Sequence, residues 1–275
     1  MPEQGIRLSG NNEPFYKGMN HPYPFLMKYT YTFPVAYQEV DKSRRWRLHN
    51  LENMLLQVAG DVANRLGFGI DALLPYGYTW ILARMEVRMD RLPTHGETIT
   101  VETWIEQNAH MLSTRNYRIY EGTDTTAKQI GQVSSVWAVL DMNTRQAVNA
   151  FDLPMFEGCV DGERLNMERA PRMASLTTPT GEADYTIAYS DIDYNGHCNS
   201  CKYLEHMIDA CRPAFMEQAT PFRLSLQYNR ELFEGEQTRI RYMEGTTQDG
   251  NLMVQWQMLS HTGDSAVLGR YIQLQ

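Results

Sequence analysis

The sequence predicts an α+β fold in which one plan, a helix followed by antiparallel strands, occurs twice. LENMLLQVA at 51–59 matches LEHMIDACR at 204–212, and VRMDRLPTHGETI at 87–99 matches LQYNRELFEGEQT at 226–238. In each copy, several strands follow the helix without another helix between them. This order is typical of antiparallel sheets and not of alternating βαβ units. The offset between the copies falls from 153 to 139 residues. We therefore expect about 14 extra residues in the first copy, within GFGIDALLPYGYTW.

Apolar residues at helical spacing mark the helix of each copy. In the first copy they predict a helix of about five turns and are Leu51, Met54, Leu55, Val58, Ala59, Val62 and Leu66. In the second copy they are Tyr203, Met207, Cys211, Ala214 and Phe215. Pro213 should end or kink the second helix near Arg212, because proline has no N–H for the helical hydrogen bond.

Alternating polar and apolar residues predict the strands. The alternation is clearest at 99–105 and 252–258, and the glycine-containing segments PTHGE and FEGE predict turns between strands. Residues 151–183 have no clear period, which is typical of a crossover linker. The expected divisions are an N-terminal extension at 1–28, a first domain at 29–150, the linker at 151–183 and a second domain at 184–275.

The composition excludes several classes of protein. The chain has 275 residues and a net charge of −8, and a general nucleic-acid-binding protein needs a basic surface instead. No apolar run approaches the ~18 residues that span a bilayer, and no export signal opens the chain. We therefore expect a cytoplasmic protein with no nucleic-acid partner and no membrane span. Its four cysteines, Cys159, Cys198, Cys201 and Cys211, should be reduced thiols.

The segment DIDYNGHCNS, at 191–200, concentrates polar residues just before the second helix. In an extended segment, Asp193, Asn195 and His197 would point to one side. Asn199 or Ser200 is suited to the N-cap position of the helix. The first N–H groups of a helix are unpaired and favour negative charge, so we expect an oxyanion to face the N–H groups of residues 198–200. The segment therefore has the groups that attack on a carbonyl requires.

Three other interpretations of this segment remain open. Asp and Asn are common in turns and caps, so the cluster could be purely structural. Asp193, His197, Cys198 and Cys201 are metal-ligand types, but no second CxxC or spaced histidine pair completes a site. The spacing of Cys198 and Cys201 is that of a redox motif, but the βαβ context of such motifs is absent.

A second polar residue distinguishes the two copies. Glu231, in YNREL, occupies the position that Leu92 has in the first copy. Before its own helix the first copy offers only RLHN, at 47–50, in place of an Asp-x-Asn-x-His pattern. A solvated strand end would explain Glu231 equally simply. The asymmetry nevertheless indicates that the second copy carries the chemistry and the first serves as scaffold and substrate channel.

DIDYNGHCNSCKYLE resembles the Asp-x-Asn-x-His segment of the hotdog-fold acyl-acyl-carrier-protein (acyl-ACP) thioesterases. WILARMEVRMDRLPTHGETITVETWI at 80–105 and SSVWAVLDMNTRQ at 134–146 look like the N-terminal hotdog domain of that family. The resemblance covers roughly residues 30–275 and implies two tandem hotdog domains, each a long helix wrapped by an antiparallel β-sheet. It transfers a catalytic role to Asp193, Asn195, His197 and Glu231. Many relatives have cysteine where this chain has Leu232, so a thiol nucleophile is excluded at that position.

The resemblance implies hydrolysis of fatty acyl-ACP to a free fatty acid, without a cofactor or a metal. Glu231 would be the general base, His197 its partner in proton transfer, and Asn195 would orient water or the carbonyl. Asp193 could hold His197 in one tautomer, act as the base, or attack the carbonyl itself. A thioesterase for coenzyme A esters, a dehydratase and a non-enzymatic acyl-chain sensor are the alternatives. The expected partner is acylated carrier protein, and a homodimer stays open as the assembly.

The remaining expectations concern the acyl chain and the carrier. An apolar tunnel is expected, with adaptable walls among the 16 methionines. The expected tunnel residues are Phe68, Ile70, Leu73, Leu74, Tyr76, Tyr78 and Trp80, alongside Met54 and Val58. Carrier proteins are acidic, so the dense basic cluster before the first helix is a candidate docking site. That cluster consists of Lys42, Arg44, Arg45 and Arg47.

Overall fold

The computed structural model describes residues 27–275, which form two units of the same plan. The first unit contains β1 (Tyr29–Pro34), α1 (Leu48–Arg65), α2 (Ile70–Leu73), β2 (Tyr78–Met89), β3 (Thr98–Ala109), β4 (Leu112–Glu121), β5 (Gln129–Asp141) and β6 (Ala147–Val148). The second contains β7 (Gly181–Thr186), α3 (Ser200–Ala210), β8 (Phe222–Tyr228), β9 (Gln237–Thr246), β10 (Leu252–Leu259) and β11 (Ser265–Gln273). The predicted α+β class is confirmed.

The strands form one antiparallel sheet whose two halves repeat each other. From its outer edge the first half runs β1, β3, β4, β5, β2, and the second half runs β7, β9, β10, β11, β8. The halves join where Arg84–Met89 of β2 pairs with Phe222–Gln227 of β8. Since each half wraps its own helix, this is the tandem hotdog arrangement that the sequence predicts.

The two helices bury their apolar stripes against the sheet. Leu51, Leu55, Val58 and Val62 of α1 are each no more than 1% exposed, and they pack in one core with Leu204 and Met207 of α3. Burial of each such side chain stabilises the fold by roughly 2 kcal/mol. The predicted stripe of α1 is therefore its core face.

The helix lengths correct the predicted position of the extra chain. The helix α1 has 18 residues and α3 has 11. Seven of the extra residues thus lie in α1 itself, and five lie in β2, which has 12 residues where β8 has 7. GFGIDALLPYGYTW therefore contains only part of the extra chain. The difference arises because Pro213 stops α3 after Ala210, as predicted, whereas α1 meets no proline before its end. Among residues 27–275 no helix is both long and apolar enough to cross a membrane.

Candidate active site

The polar segment before α3 is a tight turn, which corrects the expectation of an extended segment. Ile192 and Cys198 pair across the turn, and Asp193 N–H donates to the carbonyl oxygen of His197 at 2.8 Å. Gly196 has a φ of 80°, a conformation that glycine adopts without strain. The turn nevertheless brings Asp193, Asn195 and His197 to one cavity.

A buried carboxylate anchors this turn to the second unit. Asp191, 2% exposed, accepts a hydrogen bond from the hydroxyl of Tyr185 at 2.7 Å and one from the N–H of Ala188 at 2.8 Å. Its other oxygen lies 3.0 Å from Nε2 of His206 in α3. This cluster fixes the start of the turn to β7 and α3, and nothing in the sequence analysis singled it out.

Asp193 shapes the backbone of the turn. Its Oδ1 accepts the N–H groups of Asn195, at 2.8 Å, and of His197, at 3.4 Å. At the end of the turn, Asn199 is the N-cap of α3, and its side chain accepts the N–H of Cys201 at 3.2 Å. Of the two N-cap candidates, Asn199 therefore fills the position.

Glu231 meets the imidazole of His197 across the cavity. Oε1 of Glu231 lies 3.4 Å from Nδ1 of His197. Two hydrogen bonds hold their segments together: Cys198 N–H donates to the Leu232 carbonyl at 2.8 Å, and Leu232 N–H donates to the Tyr203 hydroxyl at 3.0 Å. The structure therefore brings together all four site residues that the sequence predicts, although they lie in two separate segments.

The surroundings of His197 favour the neutral imidazole. Partial burial lowers the pKa of His197, the charge of Asp193 raises it, and the charge of Arg145 lowers it. The ring of Phe233 meets the imidazole edge to face, with 5.3 Å between ring centroids. A neutral imidazole can accept a proton near neutral pH, as an acid–base group requires.

Arg145 is a site residue that the sequence analysis missed. Its guanidinium forms an ion pair with the carboxylate of Glu231, although Arg145 belongs to the first unit. The turn after β5 positions it: Oδ1 of Asp141 accepts the N–H groups of Asn143 and Thr144, and Arg145 itself has a φ of 57°. The segment DMNTR is typical of a turn, but no local pattern could predict that Arg145 pairs with Glu231, 86 positions away.

One cavity of about 770 Å³ connects these polar groups with the first unit. Apolar side chains line its wall, and they include Leu56, Ala59, Ala63, Phe68, Ile70 and Trp80. Met54 and Val58 face the core instead, and Leu73, Leu74, Tyr76 and Tyr78 are not among the lining residues. None of the lining residues within 27–275 is a methionine. The expectation of methionine-rich walls is therefore wrong, and six of the described methionines, among them Met85, Met207 and Met258, lie in the core instead.

Of the backbone N–H groups of residues 198–200, which were expected to face an oxyanion, only one is free. Cys198 N–H donates to the Leu232 carbonyl and Asn199 N–H to the Asp191 carbonyl, each at 2.8 Å. Ser200, the first residue of α3, lines the cavity, and its N–H has no such backbone partner among the described residues. The first turn of the helix therefore offers a single free backbone donor near the polar groups.

The first unit contains an equivalent turn that the sequence analysis placed wrongly. AYQEVD at 36–41 corresponds to AYSDID at 188–193, so Asp41, Ser43 and Arg45, rather than RLHN, occupy the positions of Asp193, Asn195 and His197. Asp41 Oδ1 accepts the N–H groups of Ser43, at 2.8 Å, and Arg45, at 3.1 Å. The turn is conserved between the units, but the histidine position holds an arginine.

Comparison with known proteins identifies the chain. The family model described as the acyl-ACP thioesterase N-terminal domain matches residues 27–152, and the model of the acyl-ACP thioesterase C-terminal domain matches residues 175–271. The chain belongs to the acyl-ACP thioesterase family. The resemblance noted in the sequence is thereby confirmed.

The relatives of this family member include plant enzymes and a bacterial one. A chloroplast palmitoyl-acyl carrier protein thioesterase of Arabidopsis thaliana is 25% identical over 216 residues, 72% of this chain and 51% of the relative. The chain thus spans about half the length of the plant relatives that it matches. The solved acyl-ACP thioesterase of Bacteroides thetaiotaomicron is 29% identical, with a TM-score of 0.76 over 90% of this chain and 97% of that one. The 12:0-ACP thioesterase of Umbellularia californica, at 19% identity and a TM-score of 0.78, covers 90% of this chain and 94% of its own and shares the fold.

The cysteines of this family member are buried, free thiols. Burial raises the pKa of Cys198 well above its usual range, and it raises that of Cys201 to about 12 and that of Cys211 to about 11. Thiols so rarely ionised at neutral pH are poor nucleophiles. Among residues 27–275, no three His, Cys, Asp or Glu side chains are grouped closely enough to hold a metal ion.

The basic cluster before α1 is smaller than the sequence indicates. Arg45 is 7% exposed and pairs with Asp41 at 3.2 Å, so it is unavailable to a partner. Lys42, Arg44 and Arg47 are exposed, but none of them lines the cavity. Lys42 Nζ lies 3.0 Å from Glu217, in the segment after α3. The cluster therefore belongs to the equivalent turn of the first unit and not to the candidate active site.

Proposed function

We propose that this protein hydrolyses the thioester of fatty acyl-ACP to give a free fatty acid and the carrier thiol. The observation that carries the proposal is the continuity of the cavity, which joins Asn195, His197 and Glu231 to the apolar wall built by the first unit. A cavity of about 770 Å³ has room for an extended acyl chain beside the reacting groups. Family membership supports acylated carrier protein as the partner.

In the first step, a water molecule attacks the thioester carbonyl. Glu231 accepts a proton from this water, and the adjacent guanidinium of Arg145 stabilises the carboxylate form that a general base needs. His197, 3.4 Å from Glu231, shares the proton. The water oxygen forms the new bond to the carbonyl carbon, and the carbonyl oxygen takes the negative charge.

In the second step, the tetrahedral intermediate collapses. The oxyanion accepts hydrogen bonds from the N–H of Ser200 and from the side-chain amide of Asn195, which both line the cavity. The carbon–sulfur bond then breaks, and the proton held by Glu231 and His197 passes to the leaving sulfur. The products are the fatty acid and the carrier thiol, so no cofactor is needed.

For Asp193, the geometry favours a positioning role. Its carboxylate accepts hydrogen bonds from backbone N–H groups of the turn, whereas the imidazole of His197 is contacted by Glu231. Asp193 then acts through the shape of the turn and through its charge near His197. This choice leaves Glu231 as the base.

The experiment that tests this function measures product release from purified protein. Acyl-ACP and acyl-coenzyme A of graded chain length are supplied in parallel, and free fatty acid and free thiol are quantified. We expect turnover of acyl-ACP with a clear chain-length optimum. Faster turnover of coenzyme A esters would assign the protein to the coenzyme A thioesterases. Tight binding of acyl chains without turnover would instead make it an acyl-chain sensor.

The two halves of the chain have different roles in this reaction. Residues 184–275 carry the chemistry, and residues 29–150 supply the acyl channel together with Arg145. The lining of the cavity supports this division, since both halves contribute to it.

A further inference from the structure

A buried arginine lies in the wall of the cavity, on the helix-facing side of the sheet. Arg115 of β4 is 4% exposed and lines the cavity with Ser113. It pairs across the sheet with Ser135, and Ser135 pairs with Met85, a residue of the main core. Directly paired residues share one face of a sheet. The guanidinium therefore points into the interior that the acyl chain would occupy.

Arg115 has no acidic partner among the described residues. Its Nη1 donates to Thr103 Oγ1 at a long 3.4 Å. The ionisable groups around it are Tyr29, Tyr31, Tyr117 and Cys159, each with a pKa raised by burial, and all of these are neutral at physiological pH. The positive charge of Arg115 is thus uncompensated.

Two other buried charges among the described residues have partners of opposite sign. Arg45, buried outside the cavity, pairs with Asp41 at 3.2 Å, and Glu106 pairs with Arg169 at 2.8 Å. A guanidinium has five N–H donors, and its transfer from water without acceptors is costly. An apolar chain alone could not offset this desolvation free energy, because methylene groups accept no hydrogen bond. An oxygen atom of a ligand near Arg115 would supply the missing acceptor.

We propose that Arg115 binds an acceptor oxygen carried by the acyl chain, so that the preferred substrates are oxygenated fatty acyl thioesters. This inference rests on the proposed function and specifies the substrate class of the same cavity. A hydroxyl, a ketone and a terminal carboxylate share the required chemistry, and they differ in charge. With a carboxylate, the interaction would also neutralise the buried cation.

The sheet register places this oxygen far from the thioester. Arg115 aligns with Ser135, Met85 and then Leu226 on β8, the strand that leads to Glu231. Three strand spacings separate the backbones of Arg115 and Leu226, on the order of 14 Å. We therefore place the oxygen in the distal part of the chain, and carbon 3, beside the thioester, is the contrasting position.

The test compares acyl-ACPs of one chain length that are unsubstituted, 3-hydroxylated, or distally substituted with a hydroxyl, ketone or carboxylate. We expect kcat/KM to favour a distal oxygen by at least ~10-fold, the scale of a hydrogen bond to a charged group. Arg115→Met should abolish this preference, so that kcat/KM for distally oxygenated and unsubstituted chains becomes equal. Arg45→Met, which removes a buried arginine outside the cavity, should retain it. Equal rates for all chains with the unaltered protein would overturn the inference, as would a preference that survives in Arg115→Met.

A binding measurement separates this inference from the proposed function and needs no variant. Calorimetric titration of the unaltered protein with non-hydrolysable amide analogues of the same acyl-pantetheines, which carry no carboxylate on the unsubstituted chain, reports the same preference without catalysis. Tighter binding of distally oxygenated analogues supports the role of Arg115 even if no thioester is hydrolysed. Equal affinity for plain and oxygenated analogues refutes that role even if acyl-ACP is hydrolysed rapidly.

Discussion

The guanidinium of Arg145 and the carboxylate of Glu231 form an ion pair that joins a turn of the first unit to the candidate base of the second. The site is therefore shared between the two halves of the chain. This explains how a half without its own Asp-x-Asn-x-His turn can still affect the chemistry.

Replacing Arg145 should change both the rate and the pH dependence of hydrolysis. Arg145→Met removes the guanidinium that pairs with the carboxylate of Glu231, so Glu231 is less precisely positioned. Misplacement of a reacting group lowers kcat by ~10- to ~100-fold. The charge of Arg145 also lowers the pKa of His197, so its removal raises that pKa and moves the acid limb of the kcat/KM profile to higher pH. Arg145→Lys should restore the limb. The control is Arg239→Met, which removes an exposed arginine that pairs with Asp184 outside the cavity. If the acid limb of Arg145→Met does not move, Arg145 does not act on His197.

Asp193→Asn should move the same limb in the opposite direction. The charge of Asp193 raises the pKa of His197, so a neutral side chain lowers it and extends activity to lower pH. An asparagine oxygen can still accept the N–H groups of Asn195 and His197, which keeps the turn closed. The measurement is the kcat/KM profile over pH 4 to 9 beside that of Arg145→Met. Two limbs that move together would show that neither charge acts through His197.

The sequence predicted the repeat, the fold class and the four polar residues because each depends on local pattern. Helical spacing located α1, and Pro213 located the end of α3, since both are set by neighbouring residues. Arg145 and Arg115 could not be found in this way, because their roles depend on partners across the sheet or on the absence of one. The oxyanion donors were misjudged for a related reason. Whether a backbone N–H is free depends on a carbonyl such as that of Leu232, which is distant in the sequence.

Removal of either polar side chain beside Glu231 should nearly abolish hydrolysis. His197→Ala removes an acid–base group, and Asn195→Ala removes an amide that faces the oxyanion; each should lower kcat by at least ~100-fold. Neither side chain belongs to the core, so the melting temperature should change little, and His95→Ala serves as the matched surface control. Turnover near that of the unaltered protein in either variant would remove that residue from the mechanism.

Thiol reagents should leave the activity largely intact. The four cysteines are buried, and burial raises the pKa of Cys201 to about 12, so thiolate is scarce at pH 7 to 8. Leu232, which is fully buried beside the site, has no thiol to offer. Native protein is treated with a small alkylating reagent, modification is counted by mass spectrometry, and activity is measured. Stoichiometric inactivation through Cys198 would revive a thiol mechanism, and Cys198→Ser would then have to be inactive as well.

Glu52 should make the protein less stable as the pH rises through neutrality. This residue of α1 is buried against β8 of the second unit, where the hydroxyl of Tyr228 donates to its carboxyl group. Burial raises the pKa of Glu52 to about 7 from 4.5, although the Tyr228 hydrogen bond opposes the shift. The folded state therefore keeps the proton over a range in which the unfolded chain has released it. The stabilisation is complete below pH 4.5 and is lost as the pH rises to about 7, which corresponds to about 3 kcal/mol.

Glu52→Gln isolates this effect because glutamine cannot ionise and still offers an oxygen to Tyr228. Urea unfolding at a series of pH values from 4.5 to 8 gives the free energy of unfolding of both proteins. Over that range the free energy of the unaltered protein should fall by about 3 kcal/mol more than that of the variant. The exposed Glu182→Gln controls for the loss of one negative charge. Parallel curves for the unaltered protein and Glu52→Gln would mean that Glu52 is already ionised in the fold, and the contact between α1 and β8 would then have to accommodate a buried carboxylate.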